Sequence, residues 1–254
     1  MFELAQGLSG RKSIKEKKRA ARKFEEAKVL KNEVNELRTK LTKSKRMRIG
    51  IPTPSQSSMN VLQVNNISKS YIDPIMVLRD VSFKVHRYER IAIIGKNGVG
   101  KTTLLKILAG KQKATDGEFE WGYGTDFGYY SQENEDLDLN MSVWENVEKL
   151  DWGNIDKRKF LGSFLISGEM VDQKVSTLSG GEKTRLALAK LFAGRHNVLM
   201  LDEPTTYLDP DSQKVLLEAL KEYKGTILIV SHEPMFVKEL NIEKVLLMPE
   251  ERFT

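Results

Sequence analysis

The sequence predicts an α/β protein whose core is a largely parallel sheet. Apolar runs at residues 91–94, 198–201 and 226–230 have the length of short buried strands. A glycine-rich stretch and then a helix-like run follow the first of them, and acidic residues follow the second. Because ligands bind at the carboxyl ends of parallel strands, the residues after these runs are the first candidates for a functional site.

The composition limits the class of protein. With 254 residues, the chain can hold one sizeable core and an appendage. There is no cysteine, which excludes disulfides and thiolate metal sites, and three histidines are too few for a histidine-rich metal centre. No apolar run approaches the roughly 18 residues of a membrane span, and no secretory signal opens the chain, so we expect a cytoplasmic protein.

A basic helical arm is predicted over residues 1–48. This segment holds sixteen Lys and Arg against six Asp and Glu, whereas the other 206 residues carry a net charge of −4. From Arg11 to Arg48 there is no glycine or proline, and apolar residues recur every three or four positions, which predicts a long amphipathic helix. Its excess of cations favours contact with a nucleic acid over the alternative, a solvated face of a coiled coil. The candidates for RNA contact are Arg19, Arg22, Lys23 and Lys28.

A flexible linker is predicted at residues 49–59, where two prolines end the helix. The globular domain is then expected to run over residues 60–254. Its first strands, at residues 61–64 and 81–85, form a predicted antiparallel pair. Between them, Tyr71 lies in a polar turn ahead of the glycine-rich stretch, where it is either a base-stacking residue or an ordinary half-buried tyrosine.

The stretch 95–103 has the composition and the context of a phosphate-binding loop, because it joins a strand to a helix-like run at residues 104–109. Its glycines let successive N–H groups point at a phosphate, and the helix start adds partial positive charge. Lys101 would reach the β- and γ-phosphates, and the Thr102 hydroxyl would ligate Mg²⁺. The residues expected to contact a nucleoside triphosphate are Gly95, Asn97, Gly98, Gly100, Lys101, Thr102 and Thr103.

Two further strands are predicted at residues 117–121 and 126–130. Gln132 follows the second of them and is a candidate for holding both the nucleotide and Mg²⁺, because an amide can bind the ion and an attacking water. Residues 141–177 are predicted to be helical. Apolar residues expected in the core there include Phe160, Leu161, Phe164 and Leu165.

A second anion-binding site is predicted where the next helix starts. Two glycines and a serine at a helix start offer backbone N–H groups and a hydroxyl to an anion. The residues concerned are Leu178, Ser179, Gly180, Gly181 and Glu182.

The strand ends supply candidates for catalysis. Asp202 would hold Mg²⁺, and Glu203 would polarise an attacking water as general base. His232, which follows the strand at residues 226–230, would hydrogen-bond the γ-phosphate or that water. A structural histidine is the alternative at this position.

Taken together, these motifs resemble the ABC-type ATPase domain over residues 60–248. The resemblance implies a P-loop NTPase with an αβ core, an antiparallel β-subdomain and a helical subdomain that bears the signature at residues 178–182. It further implies that ATP is sandwiched between two such domains, each giving its phosphate loop to one site and its signature to the other. The expected partner is therefore a second ABC ATPase domain, either a second copy or a missing N-terminal half.

Within that superfamily the chain looks most like the ABC-F branch, whose members act on the ribosome. Residues 178–191 match the ABC-F version of the signature helix, the segment 133–177 is compact, no membrane span is present, and a basic helix precedes the domain. By resemblance, that helix is the linker that reaches toward the tRNA and the peptidyl-transferase region. The role would be translation control or protection from ribosome-targeting antibiotics.

The chain departs from the ABC-F pattern in two respects. It has one ATPase domain instead of two, so it looks like the C-terminal half of such a protein. Thr206 and Tyr207 stand where the family usually shows Asn and His, which leaves the rate of hydrolysis open.

Two other functions fit parts of the sequence. The cytosolic ATP-binding subunit of a membrane transporter explains every ATPase motif but not the basic arm. A chromosome-maintenance or repair ATPase would separate its motifs by a long coiled coil or a zinc insertion, whereas here 45 residues lie between Gln132 and Leu178.

Overall fold

The computed structural model describes residues 49–72, 74–131 and 136–249, together with the backbone of residues 252 and 253. These residues belong to one compact unit, Arg48–Thr254. The predicted basic arm, with its four candidates for RNA contact, and Gln132 lie outside the described residues. Within the described part of the chain, no helix has the length and apolar character that crossing a membrane requires.

The described strands are β1 (Asn60–Ile72), β2 (Ile75–His86), β3 (Arg90–Gly95), β4 (Asp116–Trp121), β5 (Phe127–Tyr130), β6 (Val198–Asp202), β7 (Thr226–Val230), β8 (Lys244–Met248) and β9 (Arg252–Phe253). The described helices are α1 (Lys101–Leu108), α2 (Val143–Val147), α3 (Lys157–Ser163), α4 (Gly180–Ala193), α5 (Pro210–Glu222) and α6 (Pro234–Glu239). Short 3₁₀ turns occur at Gly168–Asp172 and Val175–Thr177.

The larger sheet has the strand order β5-β6-β7-β3-β8-β9. Its first five strands are parallel, and β9 pairs with β8 in the antiparallel sense. The apolar runs predicted as buried strands are β3, β6 and β7, which are neighbours in this sheet. Their carboxyl ends therefore share one edge, and the predicted α/β class is confirmed.

Side chains of the central strands alternate between two separate hydrophobic cores. In β6, Val198 and Met200 pack with α1 and the antiparallel sheet, whereas Leu199 and Leu201 pack with α4 and α5 on the other face. All five residues of β6 are buried, and so are all five of β7. A parallel sheet covered on both faces requires such continuous apolar runs.

The smaller sheet is antiparallel, with the order β2-β1-β4. Its predicted strands at residues 61–64 and 81–85 are confirmed and are longer than predicted. As a result, Tyr71 lies near the end of β1 and not in a turn, because β1 and β2 stay paired up to Ile72 and Ile75.

The prediction of helix throughout residues 141–177 is wrong. Only α2 and α3 are α-helical there. Just beyond α2, the indole N–H of Trp152 donates to the carbonyl of Val147, the last residue of that helix. Leu165, expected in the core, is 40% exposed and has a left-handed φ of 59° just after α3. The expectation holds for Phe160 and Phe164, which are buried in a series of packed rings.

The predicted linker, residues 49–59, lies against the domain without regular secondary structure. Ile49 is buried, and its N–H donates to a carboxylate oxygen of Glu222 at 3.1 Å. The N–H of Gly50 donates to the other oxygen at 3.1 Å. Glu222 is the last residue of α5, so α5 fixes the start of the described chain.

Candidate functional site

The loop after β3 has a backbone that only glycine adopts easily. Gly98 and Gly100 have φ values of 81° and 97°. A Cβ on Gly100 would lie 2.5 Å from a methyl carbon of Leu78, and a Cβ on Gly95 would lie 2.4 Å from the Met248 carbonyl oxygen. Helix α1 starts from this loop with no side-chain cap. Its first N–H groups are therefore available to an anion.

Lys101 lies across this loop. Its ammonium donates to the carbonyl oxygens of Gly95 and Lys96, each at 2.9 Å, and only 6% of the residue is exposed. Burial lowers the pKa of Lys101, while the nearby charges of Glu203 and Asp202 act in the opposite direction. An ammonium has three N–H donors, and these bonds occupy two, so one more can be directed at a ligand.

Thr102 and Asp202 meet although they are 100 residues apart in the chain. The Thr102 hydroxyl donates to Asp202 Oδ1 at 3.1 Å. Asp202 ends β6 and is 3% exposed, and burial raises the pKa of its carboxyl group. A hydroxyl and a carboxylate are the hard oxygen donors that Mg²⁺ prefers, and the ion usually takes its other ligands from water and phosphate.

Glu203 is held at the same edge by the end of β7. It has a left-handed φ of 49°, and its N–H donates to the Val230 carbonyl at 3.0 Å. The His232 N–H donates to Glu203 Oε2 at 3.1 Å. His232 Nε2 lies 3.0 Å from Oε1, but its approach is not that of a hydrogen bond, so Oε1 is buried without a hydrogen-bond partner.

Lys101, Thr102, Glu203 and His232 line one cleft of about 650 Å³. The cleft combines the glycine loop and α1 with the residues after β6 and β7, and the Tyr71 side chain lies at its side. Its lining comprises Tyr71, Val77, Asn97, Gly98, Gly100, Lys101, Thr102, Thr103, Glu203, Thr205, Thr206, His232 and Glu233. Of the other candidates, Gly95 and Asp202 touch these residues, whereas Gln132 lies outside the described residues.

A family model described as ABC transporter matches residues 78–206, just over half of the chain. The chain belongs to this ABC family. It carries the ABC-type ATPase domain.

Curated relatives place the chain in the ABC-F branch. ABC transporter F family member 5 of Arabidopsis thaliana is 39% identical over 219 residues, which are 85% of this chain and 32% of that protein. ATP-binding protein Uup of Haemophilus influenzae is 36% identical over 197 residues, 75% of this chain and 30% of that protein. The chain thus spans about a third of the length of these relatives.

A solved structure confirms the ABC fold. It is the dimeric, post-hydrolysis ATP-binding cassette MJ0796 bound to ADP and Pi, with a TM-score of 0.63 and 22% identity. The match covers 76% of this chain and 97% of that chain.

Tyr71 contacts the start of this ABC domain's loop helix. Its hydroxyl lies 3.3 Å from the Thr103 hydroxyl and donates to Gln112 Oε1 at 3.0 Å, while 58% of the residue is exposed. The ring is therefore fixed at its polar end, and the Lys69 ammonium lies over it, 5.4 Å from the ring centroid.

The signature residues 178–182 begin α4. Ser179 and Glu182 form a capping box, in which the Ser179 N–H donates to Glu182 Oε2 at 2.8 Å and the Glu182 N–H donates back to Ser179 Oγ at 3.4 Å. A Cβ on Gly181 would lie 2.9 Å from the Tyr207 carbonyl oxygen, so the signature adjoins the loop after β6. None of the described residues that line the cleft comes from the signature.

Four residues that line the cleft were missing from the predicted site: Val77, Thr205, Thr206 and Glu233. The last three follow β6 or β7 directly, so extending the strand-end argument by a few residues would have found them. Val77 lies in β2 and reaches the cleft through tertiary packing, which no local pattern reveals.

Proposed function

We propose that this chain binds ATP in the cleft, hydrolyses it after pairing with a second ABC ATPase domain, and uses this cycle to act on the ribosome. One observation carries the proposal. Lys101, Thr102 and Glu203 line a single cleft, and Asp202 accepts a hydrogen bond from Thr102 behind it, while the signature of the same chain does not line the cleft.

Binding is assigned to the glycine loop and its flanks. The loop N–H groups and the Lys101 ammonium hold the β- and γ-phosphates, and Tyr71 stacks on the base. Thr102 and Asp202 would hold Mg²⁺, and the bound ion would neutralise part of the phosphate charge. The 3.1 Å contact between their oxygens supports this assignment, because both donors face the same point.

Hydrolysis is assigned to Glu203. A water oxygen forms a bond to the γ-phosphorus while the bond from that phosphorus to the β-phosphate oxygen of ADP breaks. The Glu203 carboxylate accepts the proton that the water loses, and ADP and phosphate leave. His232 keeps this carboxylate in place through its backbone N–H, which supports a positioning role.

The second domain completes each site in this proposal. Ser179, Gly180 and Gly181 would contact the γ-phosphate held by the partner domain, and that domain's signature would contact the one held here. The partner is either a second copy of this chain or another ABC ATPase domain; the relatives that the chain matches are about three times as long as the matched region.

The ribosome is proposed as the target because of the basic arm. Residues 1–48 carry a net charge of +10, and RNA is the polyanion that such an arm would contact. In this arrangement, residues 49–59 link the arm to the ATPase domain at residues 60–254.

Replacing the proposed base tests the chemistry. We expect Glu203→Gln to retain ATP binding, to lose roughly 100-fold or more of its hydrolysis rate and to accumulate an ATP-bound dimer. Glu233→Gln is the matched control, because Glu233 lines the same cleft. The measurements are phosphate release, nucleotide affinity and light scattering. A Glu203→Gln rate near that of the wild type would remove Glu203 from the role of base.

Co-sedimentation with ribosomes tests the target. We expect the Glu203→Gln protein to pellet with ribosomes when ATP is present and to stay in the supernatant when it is absent. If pelleting fails even with a complementary ATPase domain supplied, and the protein follows a co-expressed permease into the membrane fraction, the transporter-subunit function replaces this proposal.

A further inference from the structure

A second pocket, here called the base pocket, lies at the opposite edge of the larger sheet. It has a volume of about 490 Å³, within the range of small-ligand sites. Arg90 begins β3, Asn197 precedes β6 and Gly225 precedes β7, so the pocket lies at the amino ends of the strands whose carboxyl ends form the ATP cleft. A five-residue strand separates the two sites by roughly 16 Å.

The base pocket is cationic. Its lining includes Arg87, Arg90 and Lys224 and contains no Asp or Glu. Among the described residues, none of the three cations forms an ion pair with a carboxylate. The charge of Glu243 acts on Arg90, yet burial dominates and lowers the pKa of that guanidinium.

The guanidinium groups use neutral partners. Arg87 donates to the Ser57 carbonyl at 3.0 Å, and Arg90 donates to the carbonyls of Tyr223 at 3.0 Å and Leu240 at 3.2 Å. Partly buried cations without a counter-ion are costly, so an anion in the pocket would be stabilising.

The wall of the pocket also holds polar atoms without partners. Ser57 is 6% exposed, and neither its hydroxyl nor the Nε–H of Arg87 has a hydrogen-bond partner among the described residues. Buried polar groups are nearly always paired in native proteins, so these two atoms point to a ligand or to water at this wall.

An exposed aromatic ring lies at the mouth of the base pocket. Tyr88 is 52% exposed, and the Arg87 guanidinium carbon lies 5.0 Å from its ring centroid. Its φ of 72° is unusual for a tyrosine, and its N–H donates to the Thr226 hydroxyl at 2.8 Å, which fixes this backbone. Residues 53–57, which follow the predicted arm in the sequence, also line the pocket.

We propose that the base pocket binds single-stranded RNA, with a phosphate on Arg87, Arg90 and Lys224 and an adjacent base stacked on Tyr88. Guanidinium groups bind phosphate, and an aromatic ring backed by arginine is a stacking platform for an unpaired base. RNA is chosen as the phosphate source because the proposed function already assigns RNA to the arm at residues 1–48, and the inference rests on that function.

The test uses the full chain and a fluorescein-labelled oligouridylate of about ten nucleotides. The variant is Tyr88→Asn with Lys224→Gln, because asparagine tolerates a left-handed backbone and no described contact depends on the Lys224 ammonium. We expect its affinity to fall roughly fivefold or more and its salt slope to become shallower by about 0.7. Tyr88→Phe keeps the ring and should retain the stacking contribution. Lys84→Gln, which removes one exposed charge elsewhere, should leave affinity unchanged.

Photo-crosslinking with 4-thiouridine in the same oligonucleotide locates the contact. The peptide that contains Tyr88 should be crosslinked, and excess UMP should not displace the RNA. Unchanged affinity of the double variant, or crosslinks confined to residues 1–48, would overturn the inference. Displacement by UMP would assign the pocket to a free nucleotide and overturn the choice of RNA.

The two proposals fail differently. If the wild type binds the oligonucleotide through Tyr88 but does not pellet with ribosomes, the ribosome proposal is wrong and the base pocket stands. If ribosome pelleting is intact in the double variant and no Tyr88 crosslink forms, the base pocket is wrong and the ribosome proposal stands.

Discussion

Asp202 is a residue whose buried position disfavours its ionised form. It is 3% exposed at the end of β6, and burial raises its pKa because an ionised carboxyl group loses its hydration there. The Thr102 hydroxyl offsets only part of that cost. A carboxylate buried in this way destabilises the unliganded protein, and a bound cation would offset that cost.

This opposition gives a pH-dependent prediction. Because the folded state binds the Asp202 proton more tightly than the unfolded chain, Asp202 lowers stability as pH rises above the ordinary value of 3.8. We therefore expect Asp202→Asn to raise the free energy of unfolding at neutral pH and to abolish Mg²⁺-dependent hydrolysis. The stability gain should disappear below about pH 4, where both side chains are neutral. Urea unfolding of both proteins across this range measures it, and a variant less stable than the wild type at neutral pH would contradict it.

The contact between Thr102 and Asp202 is a feature of the site that the sequence predicts. Both residues follow apolar runs, and such runs become parallel strands of one sheet whose carboxyl ends share an edge, so their meeting was predictable from the chain alone. The hydrogen bond from the His232 N–H to the Glu203 carboxylate was not predictable from the sequence. It depends on the left-handed backbone of Glu203, which is set by the bond to Val230 and has no local sequence signal.

At the scale of elements, α2 and α4 start in the same way. Ser142 and Glu145 form a capping box on α2, as Ser179 and Glu182 do on α4. The cap contributes helix stability at both places. Only the α4 cap belongs to the signature. A comparison of variants in the two caps can therefore distinguish a loss of helix stability from a loss of ATPase function.

We expect Ser142→Ala and Ser179→Ala each to lower the free energy of unfolding by about 1 kcal/mol, because each removes one cap. Only Ser179→Ala should also reduce ATP turnover, by roughly tenfold or more, because a hydrogen bond to a charged phosphate is lost in the dimer. Denaturant unfolding and phosphate release are the measurements. Equal turnover in the two variants would limit Ser179 to a structural role.

The segment between the two capped helices marks the limit of element prediction. Its apolar spacing suited one continuous helical region, but α3 ends near Phe164, and Leu165 turns into the left-handed region. The core predictions survived because Phe160 and Phe164 are buried whatever the exact helix bounds. Pattern thus predicted burial here better than it predicted helix length.

At the scale of the whole molecule, charge is divided between two parts. The arm at residues 1–48 has a net charge of +10, whereas the rest of the chain has a net charge of −4. An acidic body repels RNA at long range, so attraction to a ribosome would come mainly from the arm. The base pocket would then supply a local contact without reversing the charge of the domain.

This division predicts how ribosome binding responds to salt. Neutralising Arg19, Arg22, Lys23 and Lys28 to glutamine should weaken pelleting of the Glu203→Gln protein with ribosomes. The plot of log affinity against log salt should become shallower by as much as about 3, if all four side chains contact phosphates, because fewer counterions are released. Nucleotide affinity should stay the same, since the substitutions leave the cleft unchanged.

Removal of four exposed lysines from the ATPase domain is the matched control. The substitutions Lys84→Gln, Lys113→Gln, Lys159→Gln and Lys238→Gln change the net charge by the same amount. If net charge alone attracts the protein to RNA, both sets should weaken pelleting equally. If the arm makes the contacts, only the arm set should flatten the salt dependence. Unchanged pelleting of the arm variant would mean that these four cations do not contact RNA and would favour the alternative, a solvated face of a coiled coil. A ribosome contact would then have to come from the ATPase domain.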